Sequence, residues 1–336
     1  MRKRGRRILA VCCLAAAFAG CQSKKEGVYK IPEEKKLILY TSHKMDVHLP
    51  IVEEFEERTG IWVEVRAGGT AELMDAIGNH GDGEECDVML GGGVEIYQAY
   101  ADCFEPYRCS SWEQLDHTYA SPDDIWTVFS RLPAVFIYNN KLVEQTEAPR
   151  SWEEFLTDRW KGQIAFADAE KSGTSYTILA TMTQILNQDA ETVLPRFAAA
   201  LDGNMSAGSR EVVEDVSSGR RLVGITLEDN ARKWIQKGAD ISMVYPREGT
   251  SVVPDGCAIV KGAPHMENAR LFIDFMVSED VQTLLIDQLC RRSARRDIEL
   301  PDEWREIKEM PFDLEWAGVH QDEILSLWKE LTEGTL

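Results

Sequence analysis

The chain has 336 residues, a formal net charge of −20 and 44% hydrophobic residues. That is enough apolar chain for a large core and enough length for two lobes. The acid excess argues against nucleic acid and against adhesion to anionic lipid, because both need basic patches.

Arg2, Lys3, Arg4, Arg6 and Arg7 precede an apolar run, Ile8 to Ala19, that ends in Phe18-Ala19-Gly20-Cys21. The run is too short to span a bilayer, which takes roughly 20 apolar residues. It reads as a targeting segment, 1–20, and resembles the bacterial lipoprotein signal with Cys21 as the acylated residue. Its removal takes away five basic residues and no acidic one, which moves the charge from −20 to −25. The expected location is outside the cytoplasm, at the cell surface or in the periplasm. Residues 21–36, polar and interrupted by Pro32, read as a tether.

Order is expected from Leu37-Ile38-Leu39-Tyr40 onward. Ile61, Val63 and Val65 alternate with Trp62 and Glu64 as a half-buried strand does. Between these runs, Leu49 to Arg58 has Ile51, Val52 and Phe55 at helical spacing, Pro50 in the expected first turn and Gly60 past the end. Thr70 caps a predicted helix through Ile77, Cys86 to Leu90 reads as a buried strand, and Gly91-Gly92-Gly93 leads into a helix through Ala101. A second set has strands at Ala134–Tyr138 and Gln163–Ala167, with helices starting near Ser151 and Ser175. Alternating β and α elements predict an α/β fold with helices on the faces of a largely parallel sheet. Cys103 and Cys109 are close enough to pair, whereas Cys86, Cys257 and Cys290 read as small core residues. Trp152, Trp160, Trp234, Trp304, Trp316 and Trp328 lie in helix-like stretches and are expected to pack in the core.

In open α/β sheets, ligands sit beyond the carboxyl ends of strands, facing backbone N–H groups and helix N-termini. Four loops there have suitable composition: Thr41-Ser42-His43, the triplet with Gly92 and Gly93, Ser172-Gly173-Thr174-Ser175, and Ser206-Ala207-Gly208-Ser209. Hydroxyls beside glycine-exposed amides bind an oxyanion without needing a cation. A Ser or Thr before a helix is also an ordinary N-cap, so the force lies in four such loops recurring.

Three stretches then resemble type II periplasmic solute-binding proteins of the ferric-iron and organophosphate group. They are Leu39-Tyr40-Thr41-Ser42 with Val52 to Gly60, Trp152 through Trp160-Lys161-Gly162 to Ser175, and Val244-Tyr245-Pro246-Arg247-Glu248-Gly249-Thr250 to Gly256. The resemblance implies two α/β lobes joined by crossover strands, a ligand in the cleft between them and hinge closure. It implies lobe 1 at 37–130 plus 231–290 and lobe 2 at 131–230 plus 291–336. It also implies a small anionic solute and ABC permease subunits as partners, a monomer, and no cofactor. Ferric binders of this kind use two adjacent tyrosines after the return crossover, where this chain has Leu227-Glu228-Asp229-Asn230. Loss of phenolate removes most of the preference for ferric iron. The anion-holding positions Ser172, Gly173, Thr174, Ser209 and Thr226 look intact, which favours a phosphorylated or phosphonate ligand. Glu228 and Asp229 would then read the rest of that ligand, with Glu248 nearby. The alternatives are a ferric site built from His43, Glu228 and Asp229, and a polyamine or thiamine receptor lined by Tyr97 and Tyr245.

An enzyme is the competing class. No HExxH or GxSxG motif is present, and Ser326-Leu327-Trp328-Lys329 matches SxxK without companion motifs.

Overall fold

The computed structural model describes residues 30–78, 85–304 and 307–333. The signal-like segment and Cys21 lie outside these residues. Contacts divide the chain into Met1–Pro32 and Glu33–Leu336. Of the first unit only residues 30–32 are described, and they have no regular secondary structure.

In the second unit, ten strands among the described residues form one sheet. They are β1 (Lys36–Thr41), β2 (Trp62–Ala67), β3 (Val88–Gly93), β4 (Phe104–Glu105), β5 (Thr127–Asn139), β6 (Ile164–Ala165), β7 (Val223–Leu227), β8 (Ile241–Val244), β9 (Val252–Val260) and β10 (Arg292–Ser293). The helices in the first half of the chain are α1 (Met45–Thr59), α2 (Thr70–Gly78), α3 (Val94–Ala99), α4 (Gly173–Leu186) and α5 (Ala190–Leu201). They are followed by α6 (Ser209–Ser217), α7 (Glu228–Gln236), α8 (Met266–Met276), α9 (Glu279–Asp287), α10 (Leu314–Val319) and α11 (Gln321–Glu333).

The main strand order is β2-β1-β3-β9-β5-β7-β6. β1 pairs in parallel with β2 and β3, and β6 pairs in parallel with β7. Antiparallel β9 and β5 connect these two parallel sets. β5 is expected as a five-residue strand but runs for thirteen residues because it serves both halves. Thr127 to Pro133 pairs with β9, while Ala134 to Asn139 pairs with β7 on one side and β8 on the other. It is a crossover strand.

The packing divides in the same place. One core contains Leu37, Leu39, Phe55, Phe129 and Phe272. Burying each such side chain contributes roughly 1.5–3 kcal/mol. A second core gathers Phe136, Trp152, Phe166, Phe197 and Trp328. A third, with Val135, Ile137, Val213, Ala231 and Ile241, covers the other face of β5, since alternate residues of a strand point to opposite faces. Ala231 and Ile241 therefore pack with the 131–230 segment, not with the first core as the expected lobe boundary at 231 has it. Pairing of β8 with the C-terminal half of β5 is the physical reason.

α1 begins at Met45, four residues before the expected start, so Pro50 is its sixth residue and not part of its first turn. Proline has no N–H to give the carbonyl four residues back, that of Asp46, and Asp46 is exposed to water. Gly60 ends the helix as expected, with φ +67° and its N–H on the Glu56 carbonyl at 2.8 Å. Cys103 and Cys109 are both free, and Cys109 is part of the first core. No helix among the described residues is long and apolar enough to cross a membrane.

Candidate functional site

The β1–α1 loop is built by a short side-chain turn. Thr41 is buried at the end of β1, and its Oγ1 accepts the His43 amide at 3.1 Å. The Ser42 amide donates to the Leu90 carbonyl at 3.2 Å, which ties this loop to β3. Gly91, at φ +97°, lies against both side chains: a Cβ there would come within 2.7 Å of His43 Nε2 and 2.8 Å of Ser42 Oγ. Glycine is thus required by conformation and by space. A Cβ on Gly93 would sit 2.2 Å from the Glu95 carboxylate oxygens, so Gly93 leaves room for that side chain to fold back.

Glu95 is buried and its Oε2 has no hydrogen-bond partner. Burial pushes its carboxyl up to about 7, Asp255 adds to the shift, and its own backbone N–H opposes it. The glycine triplet itself offers no side chain, and Glu95, two positions beyond it, is not among the residues expected from the sequence.

His43 Nε2 is 3.1 Å from Asp255 Oδ2, and its ring lies edge-on to Phe129. Asp255 also accepts from the buried Arg291 and from Ser130. Burial alone would raise the Asp255 carboxyl, but His43 and Arg291 outweigh it and hold the group below the usual range. Arg291 reaches Asp229 as well, with Nε 3.3 Å from Oδ2.

Glu228 and Asp229 begin α7, where both are buried and already paired. Glu228 takes both Nε and Nη2 of Arg292, at 2.6 and 3.1 Å, and Nε of Arg232 at 2.7 Å. The Tyr245 hydroxyl donates to the same carboxylate. Tyr97, also considered as a cleft aromatic, is in the first core with its hydroxyl on the Gly91 and Gly256 carbonyls. His43, Glu228 and Asp229 do not gather as a metal set. Among the described residues no three His, Cys, Asp or Glu side chains do.

The other predicted residues separate into local roles. Ser172 caps α4, its Oγ accepting the Ser175 amide at 3.2 Å, with Gly173 exposed and Thr174 half-buried. Ser206 donates to Asp215 at 2.6 Å. Ser209 opens α6, and its carbonyl accepts from Asn230, which also donates to Thr226 Oγ1 at 3.2 Å. Glu248 accepts from Ser151, well along the chain from these loops. Gly92 follows Gly91 at φ +92°, where a Cβ would press on Thr70.

A cavity of about 810 Å³ lies between the start of α1 on one side and α6 and α7 on the other. Two of the predicted loops adjoin it, through Lys44 next to His43 and Arg210 next to Ser209, and Asn230 of α7, next to Asp229, lines it as well. Lys44, Arg210, Lys233 and Lys237 line it against one carboxylate, Asp46. Lys233 is 3.8 Å from Asp46, and among the described residues the other three cations have no ion-pair partner. Burial lowers the Lys233 pKa, with Arg291 acting in the same direction and Asp229 and Asp46 opposing. Trp234, expected only in the core, packs on the third core and also forms a wall of this cavity. The four cations are scattered in sequence, so no charge run marks them.

The family model for bacterial extracellular solute-binding proteins matches residues 97–297, more than half of the chain. Iron uptake protein A1 of Synechocystis sp. is 28% identical over 276 residues, which is 75% of this chain and 74% of that protein. A periplasmic protein of Salmonella typhi described as 2-aminoethylphosphonate-binding is 21% identical, covering 74% of each chain. The periplasmic binding protein AfuA from Actinobacillus pleuropneumoniae, solved with fructose-6-phosphate, superposes with a TM-score of 0.79 at 21% identity. That alignment covers 89% of this chain and 98% of AfuA, and it shows a shared two-lobed fold.

Proposed function

The chain belongs to the family of bacterial extracellular solute-binding proteins, and on that premise we propose that it is the substrate receptor of an ATP-driven importer, holding a small phosphorylated or phosphonate solute between its lobes. The observation that carries this reading is the cavity between α1 and α7, where four cations face one carboxylate in a chain whose net charge is −20. Like charges held at one point of an acidic protein raise the local concentration of an anion and favour its binding. The Thr41–His43 loop and the Ser172–Thr174 cap would supply hydroxyls and amides as the lobes close around β5 and β9. Relatives of this chain are named for iron and for phosphonate. Commitment of Glu228 to Arg292 and of Asp229 to Arg291 favours the second, because these carboxylates are neutralised by arginine.

Cys21, in this reading, carries the lipid that keeps the receptor beside its permease, and the protein acts as a monomer that binds without chemistry. Native mass spectrometry of protein purified from its host tests the ligand class. A retained mass matching a phosphorylated or phosphonate metabolite is expected. A retained ferric ion bound directly by protein side chains would overturn the proposal.

A further inference from the structure

The same cavity is chemically two-sided. Met45 and Leu49 are 67% and 40% exposed, although large apolar side chains are normally covered. They are four residues apart on α1 and so share one face of the helix, with Pro50 beside them. Trp234 of α7 stands on the opposite side. Besides the four cations, the polar side chains between these walls are few. Asn230 spends its Nδ2 donors on the Ser209 carbonyl and on Thr226, and Ser217 and Asp46 are the other uncharged or acidic side chains lining the space.

We infer that the solute is an organic phosphate or phosphonate with an apolar, preferably aromatic, body: the anionic group lies among Lys44, Arg210, Lys233 and Lys237, and the body packs between Met45, Leu49 and Trp234. This rests on the anion reading above and adds the nature of the rest of the molecule. A sugar body presents several hydroxyls, each of which loses water on entering and must find a protein partner or cost free energy. An aryl or alkyl body has no such requirement and gains from covering the exposed side chains. The volume, about 810 Å³, falls within the ordinary range for a small organic ligand.

Calorimetry on the purified protein with phenyl phosphate, glucose 6-phosphate and inorganic phosphate tests the inference. Phenyl phosphate should bind at least about tenfold more tightly than either of the others. Trp234→Ala should weaken phenyl phosphate by about tenfold while changing inorganic phosphate by less than about twofold. Lys233→Gln should weaken both. The pair Met45→Gln and Leu49→Gln, at exposed positions that folding does not depend on, should repeat the Trp234 result. Should glucose 6-phosphate bind as tightly as phenyl phosphate, the apolar-body inference fails and the phosphorylated-solute reading stands. Should none of the three bind while ferric iron does, both fall together.

Discussion

Arg292 meets Glu228 in a bidentate ion pair inside the protein, with Nε to Oε2 at 2.6 Å and Nη2 to Oε1 at 3.1 Å. One residue back on the arginine side and one residue on along α7, Arg291 meets Asp229. Two consecutive arginines beside the crossover strand thus engage two consecutive acids at the start of α7. Planar guanidinium groups suit this arrangement because they match a carboxylate with two parallel donors.

Replacing Glu228 by Gln leaves Arg292 buried without its counter-charge and also weakens the contact of Arg232. Loss of one partner of a buried pair typically costs about 3–5 kcal/mol. Urea denaturation at neutral pH should show a destabilisation of that order for Glu228→Gln. A change below about 1 kcal/mol would return Glu228 to the role expected from sequence, a residue reserved for ligand.

Glu95 makes stability depend on pH in a definite direction. Its folded pKa, about 7, is above the ordinary glutamate value because of burial, with Asp255 contributing. The folded state therefore holds a proton that the unfolded state has released. The associated stability is fully present below the unfolded pKa and is lost as pH rises through about 7. Glu95→Gln keeps the neutral form at every pH. Thermal melts should find this variant more stable than wild type at pH 8, by about 1–3 kcal/mol, and nearly equal to it at pH 4. Equal differences at both pH values would contradict the assignment.

Ser172 and Thr174 separate a structural role from a binding one. Ser172→Ala removes the cap on the Ser175 amide and should cost about 1 kcal/mol of stability. If the cap holds the anion as proposed, the double change of Ser172 and Thr174 to Ala also removes two hydroxyl donors from it. Affinity for that ligand should fall by about two to four orders of magnitude. If calorimetry finds affinity unchanged while stability falls, this loop is a helix cap alone.

Cys21→Ser tests the anchor. Two or three acyl chains hold a protein firmly, since each buried CH₂ contributes about 0.8 kcal/mol. The variant should move from the membrane fraction to the soluble fraction on cell fractionation. Unchanged membrane partitioning would rule out lipid on Cys21.

What could be read along the chain was whatever depends on near neighbours. Alternation around Ile61 and Val63 gives β2 its buried and exposed faces, Gly60 ends α1, and Ser172 caps α4, each through contacts within a few residues. The two α/β sets and the loops at strand ends follow from the same local patterns. Tertiary structure alone decided which partners those loops acquire. Arg292 and Glu228 are 64 residues apart, and His43 finds Asp255 from a different strand, so no spacing foretells either pair. Likewise Lys44, Arg210, Lys233 and Lys237 belong to three helices or their approaches, and only their packing across the cavity makes them one positive surface. Side-chain periodicity reports which face of an element is buried, whereas the identity of what covers it depends on how distant segments meet.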